Sequence, residues 1–310
     1  MPNNKTNQEF TMTGEEIIRT YDKDGYVVIP EVLDQDLTRE AQGHIEWMGK
    51  KYPDIRPEGY HHHLIVDDPF WIRLCTDARL IDVIEPFLGP DIALFAAHYI
   101  SKPPRTGLPV LWHQDGNYWP LEPMEVITIW LAVDDSTTEN GCMRVIPGTH
   151  NGQKLYKHRS EKDKANVLNS TLDEYIDEEK ATDVVVPAGG VSLHDPFLIH
   201  GSEANLSDKR RGGLTLRYIP TTTRIKRENF PAYLCRGKAI EGVNTYPPLP
   251  HFRAEDHYPF KGCDQPPWGV KEASRAGYKT YDNAVLPTPP QRPRQPPPDK
   301  QTQKCVKKQK

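Results

Sequence analysis

Leu111 to Trp119 reads LWHQDGNYW and sets a histidine and an aspartate two residues apart at the end of an apolar run. On a strand, residues two apart project to the same side. His113 and Asp115 can therefore offer an imidazole and a carboxylate to one ion, with Gln114 turned away. A second His-x-acid pair, His44-Ile45-Glu46, falls inside an expected helix, where residues two apart share no face. The run His61-His62-His63 is metal-like in composition. Adjacent residues on an extended chain alternate sides, however, and no acid stands beside them at ligand spacing, so we expect a solvated loop.

Among twelve histidines one pair means little without a third ligand from another strand, and VSLHDPFLIHGS offers His194 and His200. His200 follows the apolar Phe197-Leu198-Ile199 and precedes Gly201-Ser202, at a strand end, and is the preferred ligand. His194 abuts Asp195-Pro196, a turn signal, and is expected to play a structural or supporting part. Two histidines and a carboxylate bind one face of an iron(II) ion and leave up to three positions open. The same set also serves hydrolytic zinc.

The elements that must position these groups change character along the chain. Thr13 and Glu16 form a potential capping box, followed by the apolar face Ile17, Ile18, Tyr21 and a stop at Gly25. A short strand, YVVIPEVL, comes next. An amphipathic helix is expected over about 36–50, with Leu37, Ala41, Ile45 and Met48 on one stripe. ARLIDVIEPFLG reads as a further helix, ending at Gly89-Pro90. From Asp91 onward seven short β-rich runs are separated by turn residues, which predicts a mainly β sandwich or barrel preceded by N-terminal helices. The charged stretch from Gly152 to Lys180 is too polar for a core strand and reads as a surface loop or lid. We expect a flexible N-terminus over 1–12, one domain over 13–280, and a tail over 281–310. That tail, proline-rich and then basic, cannot bury enough apolar surface to fold.

Composition removes several function classes. The 310 residues carry a formal net charge of −4 and are 36% hydrophobic. With Lys and Arg scattered among acids there is no global basic face, and nucleic acid is not an expected partner. No run approaches the roughly 20 apolar residues of a membrane span, and MPNNKTNQEF lacks the apolar centre of a secretory signal, so we expect a cytoplasmic protein without a membrane partner. Cys75, Cys142, Cys235, Cys263 and Cys305 form no C-x-x-C pair and read as free thiols.

Taken together and in this order, WHQD, ENGCMRVIPGTH and LIHGSEANLSDKRRGGLTLRYIP resemble the phytanoyl-CoA dioxygenase family of iron(II)/2-oxoglutarate oxygenases, over roughly Gly14 to Pro220. The resemblance implies a double-stranded β-helix (jelly-roll) core with His113, Asp115 and His200 as catalytic iron ligands. It also implies that Arg211, in KRRGGLTLRY, anchors the 2-oxoglutarate cosubstrate. The implied chemistry is oxidative decarboxylation of 2-oxoglutarate to succinate and carbon dioxide by molecular oxygen, which yields an iron-bound oxidant that removes hydrogen from an unactivated carbon of a small-molecule substrate. Halogenating relatives have a small residue in place of the carboxylate. Retention of Asp115 therefore points to hydroxylation or a related oxidation.

Arg211 also has a physical case of its own. A dicarboxylate that chelates metal through one end needs a cation at the other, and a guanidinium meets a carboxylate with two parallel hydrogen bonds. Arg210 and Arg217 are rivals; on a strand Arg210 faces away from Arg211, whereas Arg217 shares its side. Thr128 and Trp130 share a face and could line the cosubstrate pocket, with core packing as the alternative. Asn117, Tyr118, Trp119 and His98 are candidate substrate contacts. Two other functions compete: a non-redox cupin-type metalloenzyme and a jelly-roll binding module without chemistry.

Overall fold

A computed structural model describes residues 12–163, 165–228 and 230–269. Four α-helices open the fold: α1 (Gly14–Asp24), α2 (Gln35–Lys51), α3 (Pro69–Cys75) and α4 (Ala78–Leu88). The strands are β1 (Tyr26–Ile29), β2 (Ile92–Tyr99), β3 (Val110–His113), β4 (Leu121–Glu122), β5 (Ile127–Ala132), β6 (Met143–Val145) and β7 (His158–Ser160). They continue with β8 (Ser170–Leu172), β9 (Thr182–Val184), β10 (Val191–His194), β11 (His200–Ser202), β12 (Gly213–Pro220), β13 (Arg224–Ile225) and β14 (Tyr233–Arg236). The large sheet runs β1-β10-β5-β12-β2-β14 and the small one β3-β11-β6-β9. All pairings within both are antiparallel. This is the expected jelly roll.

Helix boundaries follow local chemistry. Thr13 and Glu16 close the capping box, and Gly25 ends α1 in the left-handed region at φ 81°. Asp34 caps α2 by accepting from the Leu37 amide. Helix α3 was not expected from periodicity. PFWIRLC is buried on nearly every side, so it shows no apolar stripe; only Asp68, which caps the Trp71 amide, and Pro69 at the first position signal it.

Strand period places the core and the site on opposite faces of the large sheet. On β5, Ile127, Ile129 and Leu131 join the helices in one apolar cluster, while Trp130 and Ala132 pack with Met143 and Val145 of the small sheet in another. On β12, Leu214, Leu216 and Tyr218 take the helix side. Thr215 and Arg217, out of phase with them, line the cavity. The β12–β2 register slips between Arg217 and Tyr218, so Arg217 opposes Ala96 but Tyr218 opposes Leu94. That bulge shifts the phase of β2, and His98 joins the cavity side.

Two stretches are more structured than their local patterns alone indicate. VSLHDPFLIHGS is two strands in different sheets, β10 and β11, because Asp195 turns the chain by accepting from the Phe197 amide. The charged excursion contains the two-stranded ribbon β7–β8, with Thr171 and Leu172 buried. Gln114 pins its start through the Lys154 carbonyl and the Tyr156 amide, and Thr171 bonds the Trp112 carbonyl. Met12 packs partly against the core. The tail after residue 280 and Cys305 lie outside the described residues; Cys75, Cys142, Cys235 and Cys263 are free.

Candidate metal centre

His113 is the last residue of β3 and His200 the first of β11, and the two stand opposite each other in the ladder. Each ring is oriented the same way. His113 Nδ1 lies 2.8 Å from the Leu111 carbonyl and His200 Nδ1 lies 3.0 Å from the Leu198 carbonyl. A carbonyl only accepts, so each Nδ1 holds the proton and each Nε2 keeps its lone pair for a metal. Asp115 Oδ1 is 3.5 Å from His113 Nε2 and 4.0 Å from His200 Nε2. One donor atom from each residue lies within 4.8 Å of the others, and all three residues are buried. This set fits a single divalent ion with a facial three-ligand shell.

The surroundings hold the donors in their binding forms. Burial acts to raise the Asp115 carboxyl, but the charge of Arg217, helped by the neighbouring His113, His194 and His200 imidazoles, brings it well below the usual carboxylate range. Burial, together with His113 and His194, drives His200 well below an ordinary imidazole, so it stays neutral. Asp115 Oδ2 faces Thr128 Oγ1 at 3.5 Å, His194 Nε2 at 3.5 Å and Arg217 Nε at 3.8 Å.

A cavity of about 260 Å³ opens over the three ligands. Trp130 and Arg211 share its wall, with the guanidinium carbon 5.3 Å from the indole centroid. Arg211 is 2% exposed. Its amino groups donate to the Gly141 carbonyl at 2.5 Å and the Ile100 carbonyl at 2.9 Å, its Nε has no partner, and among the described residues no carboxylate pairs with it. Burial lowers it to about 10, which leaves it a cation at neutral pH. Arg210, the first rival, is spent on Asp134 at 2.7 and 3.0 Å. Arg217, the second, lines the cavity beside Asp115.

The remaining expected residues divide. His98, Tyr118 and Trp119 are on the wall. Asn117 is exposed and not on it. Residues 115–118 form a 3₁₀ turn, which superposes Asp115 and Tyr118 on one side and turns Asn117 outward. Thr128 is not among the lining residues; its hydroxyl faces the Asp115 carboxylate at 3.5 Å. His44 is a buried core histidine bonded to Asp68 at 3.0 Å and Tyr99 at 3.1 Å.

The histidine run is less solvated than expected. His62 accepts from the Ala97 amide and bonds the Pro231 carbonyl. Exposed His61 reaches the cavity rim, its ring 3.9 Å from His98. The run is not an extended strand: His61 caps a 3₁₀ helix that begins at His62, and that turn sends the rings to different neighbours. Lys102, which no motif singles out, is fully buried near Arg211. It donates to Ser202 Oγ at 2.7 Å and to the Glu203 carbonyl, and burial lowers it to about 6.

A profile of the phytanoyl-CoA dioxygenase (PhyH) family matches residues 21–213, which include all the ligands and Arg211. The chain belongs to this family. Among curated relatives of this PhyH member, a probable alpha-ketoglutarate-dependent hypophosphite dioxygenase of Stutzerimonas stutzeri is 33% identical over 148 residues, covering 47% of this chain and 51% of that one. The peroxisomal phytanoyl-CoA dioxygenase of Homo sapiens is 29% identical over 157 residues, covering 49% and 46%. The PhyH chain thus spans about half the length of these relatives. Its fold is similar to that of the non-heme monooxygenase ThoJ, with a TM-score of 0.66 at 22% identity, over 76% of this chain and 88% of ThoJ. Among the described residues no helix is long and apolar enough to cross a membrane.

Proposed function

We propose that this chain is an iron(II)/2-oxoglutarate-dependent dioxygenase that hydroxylates, or otherwise oxidises, a C–H bond of a small molecule in the cytoplasm. The observation that supports this reading best is one cavity containing a two-histidine, one-carboxylate donor set and a buried guanidinium with no acidic partner. Neither a non-redox cupin nor a binding module calls for that cation. Both named relatives bear dioxygenase names, one of them alpha-ketoglutarate-dependent.

When bound, iron and 2-oxoglutarate supply the oxidising power, with molecular oxygen consumed and succinate and carbon dioxide released. The chain's own residues supply placement. His113, Asp115 and His200 would hold the iron, the two histidines with their Nδ1 protons already committed to backbone carbonyls. Arg211 takes the far carboxylate of 2-oxoglutarate. Arg217 suits that task less well, because its guanidinium already lies 3.8 Å from the Asp115 carboxylate that would hold the iron, whereas no carboxylate among the described residues pairs with Arg211. Trp130 stacks against the Arg211 guanidinium and fixes its plane. Tyr118 and Trp119 close the cavity against water.

Anaerobic titration of the full chain with iron(II) and 2-oxoglutarate tests the reading. We expect a weak metal-to-ligand charge-transfer band, followed by succinate release across a screen of small-molecule classes once oxygen is admitted. Iron binding without any such band would return the site to a non-redox role.

A further inference from the structure

Arg217 has no part in holding iron or 2-oxoglutarate, yet it is buried in the wall of the same cavity. It is 9% exposed, its Nε has no hydrogen-bond partner, and its nearest acid, Asp115 Oδ2 at 3.8 Å, is beyond hydrogen-bond range. Trp119 holds the guanidinium from one side, its ring centroid 5.5 Å from the central carbon. A buried guanidinium with unused donors is costly unless something accepts from them.

Arg217 also stands where two cavities meet. The metal cavity and a second one of about 420 Å³ share Arg217, His61 and His98. The second is walled further by His62, Phe230 and the exposed Arg227, with Glu228 on the same rim to offset Arg227. A molecule entering from the second cavity meets Arg217 just before it reaches the metal ligands.

Formal charge points to what that molecule is. With cofactors in place, divalent iron and dianionic 2-oxoglutarate cancel. Asp115 offsets one of the two buried guanidiniums, Arg211 and Arg217, and one positive charge is left over. An enclosed site with an unmatched charge favours a ligand that supplies the opposite one.

We propose that Arg217 binds an anionic group of the substrate, a carboxylate or a phosphorus oxyanion, and that the substrate of this enzyme is therefore a small anion. The assignment deepens the oxygenase reading and rests on it. A planar guanidinium can take two oxygens of either group at once, which fixes the orientation of the anion beside the metal as well as its affinity.

The test titrates inorganic phosphate and acetate, as separate probes, into the metal-free full chain at low ionic strength by calorimetry. Wild type, Arg211→Gln, Arg217→Gln and Arg217→Lys are compared, each checked for its thermal transition. At least one probe is expected to bind wild type, and to keep binding when Arg211→Gln removes the other cation. Arg217→Gln is expected to weaken that binding at least about 10-fold, with Arg217→Lys intermediate because it keeps the charge but not the fork. A preference for phosphate or for acetate tells a phosphorus oxyanion from a carboxylate.

Absence of binding by both probes, or unchanged affinity in Arg217→Gln, overturns the proposal. If that variant does not fold, unchanged affinity in Arg217→Lys does the same, since loss of the bidentate contact must register. In the succinate-release screen, turnover of neutral molecules in preference to anions also counts against it. These anion titrations use no metal, so they fail or succeed separately from the charge-transfer band that tests the oxygenase reading.

Discussion

At the scale of single residues, Asp115 and Arg211 do different jobs that separate experiments can tell apart. Asp115 is the one anionic donor of the proposed set, and Asp115→Ala is expected to abolish turnover and weaken iron binding, read by product formation and by equilibrium metal titration. Near-normal product would remove the triad assignment. Arg211 touches no ligand of the metal. Arg211→Ala should leave iron binding intact while raising the 2-oxoglutarate requirement, because losing one side of a buried charge-assisted pair costs about 2 to 5 kcal/mol, roughly 30- to several-thousand-fold. An unchanged cosubstrate requirement would shift the anchoring role to Arg217 and withdraw the substrate role argued for it.

At the scale of elements, the segment around His62 ties the preamble to the barrel. Burial lowers this imidazole from 6.5 to about 4, and its Nδ1 accepts from the Ala97 amide, a bond that protonation breaks. The unfolded chain takes up the proton near 6.5 and the folded chain only near 4. Stability is therefore lost as pH falls through this window, by about 3 kcal/mol at its lower end. His62→Phe, which can still stack on Phe230, should be less stable at neutral pH but show a flatter decline between pH 6.5 and 4 in denaturant titrations.

The charged excursion is the other element with a testable role. It contributes Leu168 to the cavity wall, and Ser170 Oγ meets the Tyr118 hydroxyl at 2.6 Å. Closure over a filled site should tighten both contacts. Limited proteolysis in this segment, which offers Lys154, Lys157 and Arg159 to trypsin, is expected to slow when iron, 2-oxoglutarate and substrate are present together. Equal cleavage rates with and without ligands would make the segment a surface ribbon.

For the whole molecule, the described fold from residue 12 to 269 contains every group assigned to the site. Removing everything after Tyr281 should leave metal binding and turnover unchanged, since every group assigned to the site lies before it. Loss of turnover on that truncation would assign the tail a role that its composition does not suggest.

Sequence by itself determined what depends on near neighbours along the chain. The Thr13–Glu16 box, the Gly25 stop, the α2 stripe and the alternation that sets His113 apart from Gln114 are local rules of period and capping, and each is found as read. The three motifs in order also carried the family and, with it, the pairing of His113 and Asp115 with His200. Only the tertiary structure decided which side chains share a cavity, because that depends on register between strands distant in sequence. The bulge between Arg217 and Tyr218 brings His98 to the site. The 3₁₀ turn after His113 sends Asn117 to solvent, and the packing of β5 places Thr128 on Asp115 and not on the cavity. His61 and Lys102 lie in stretches whose local pattern is that of an ordinary polar loop. The burial of Lys102 and the neighbours of both come from chain segments roughly 40 to 100 residues away, His98 for His61 and Ser202 for Lys102, which no local spacing encodes.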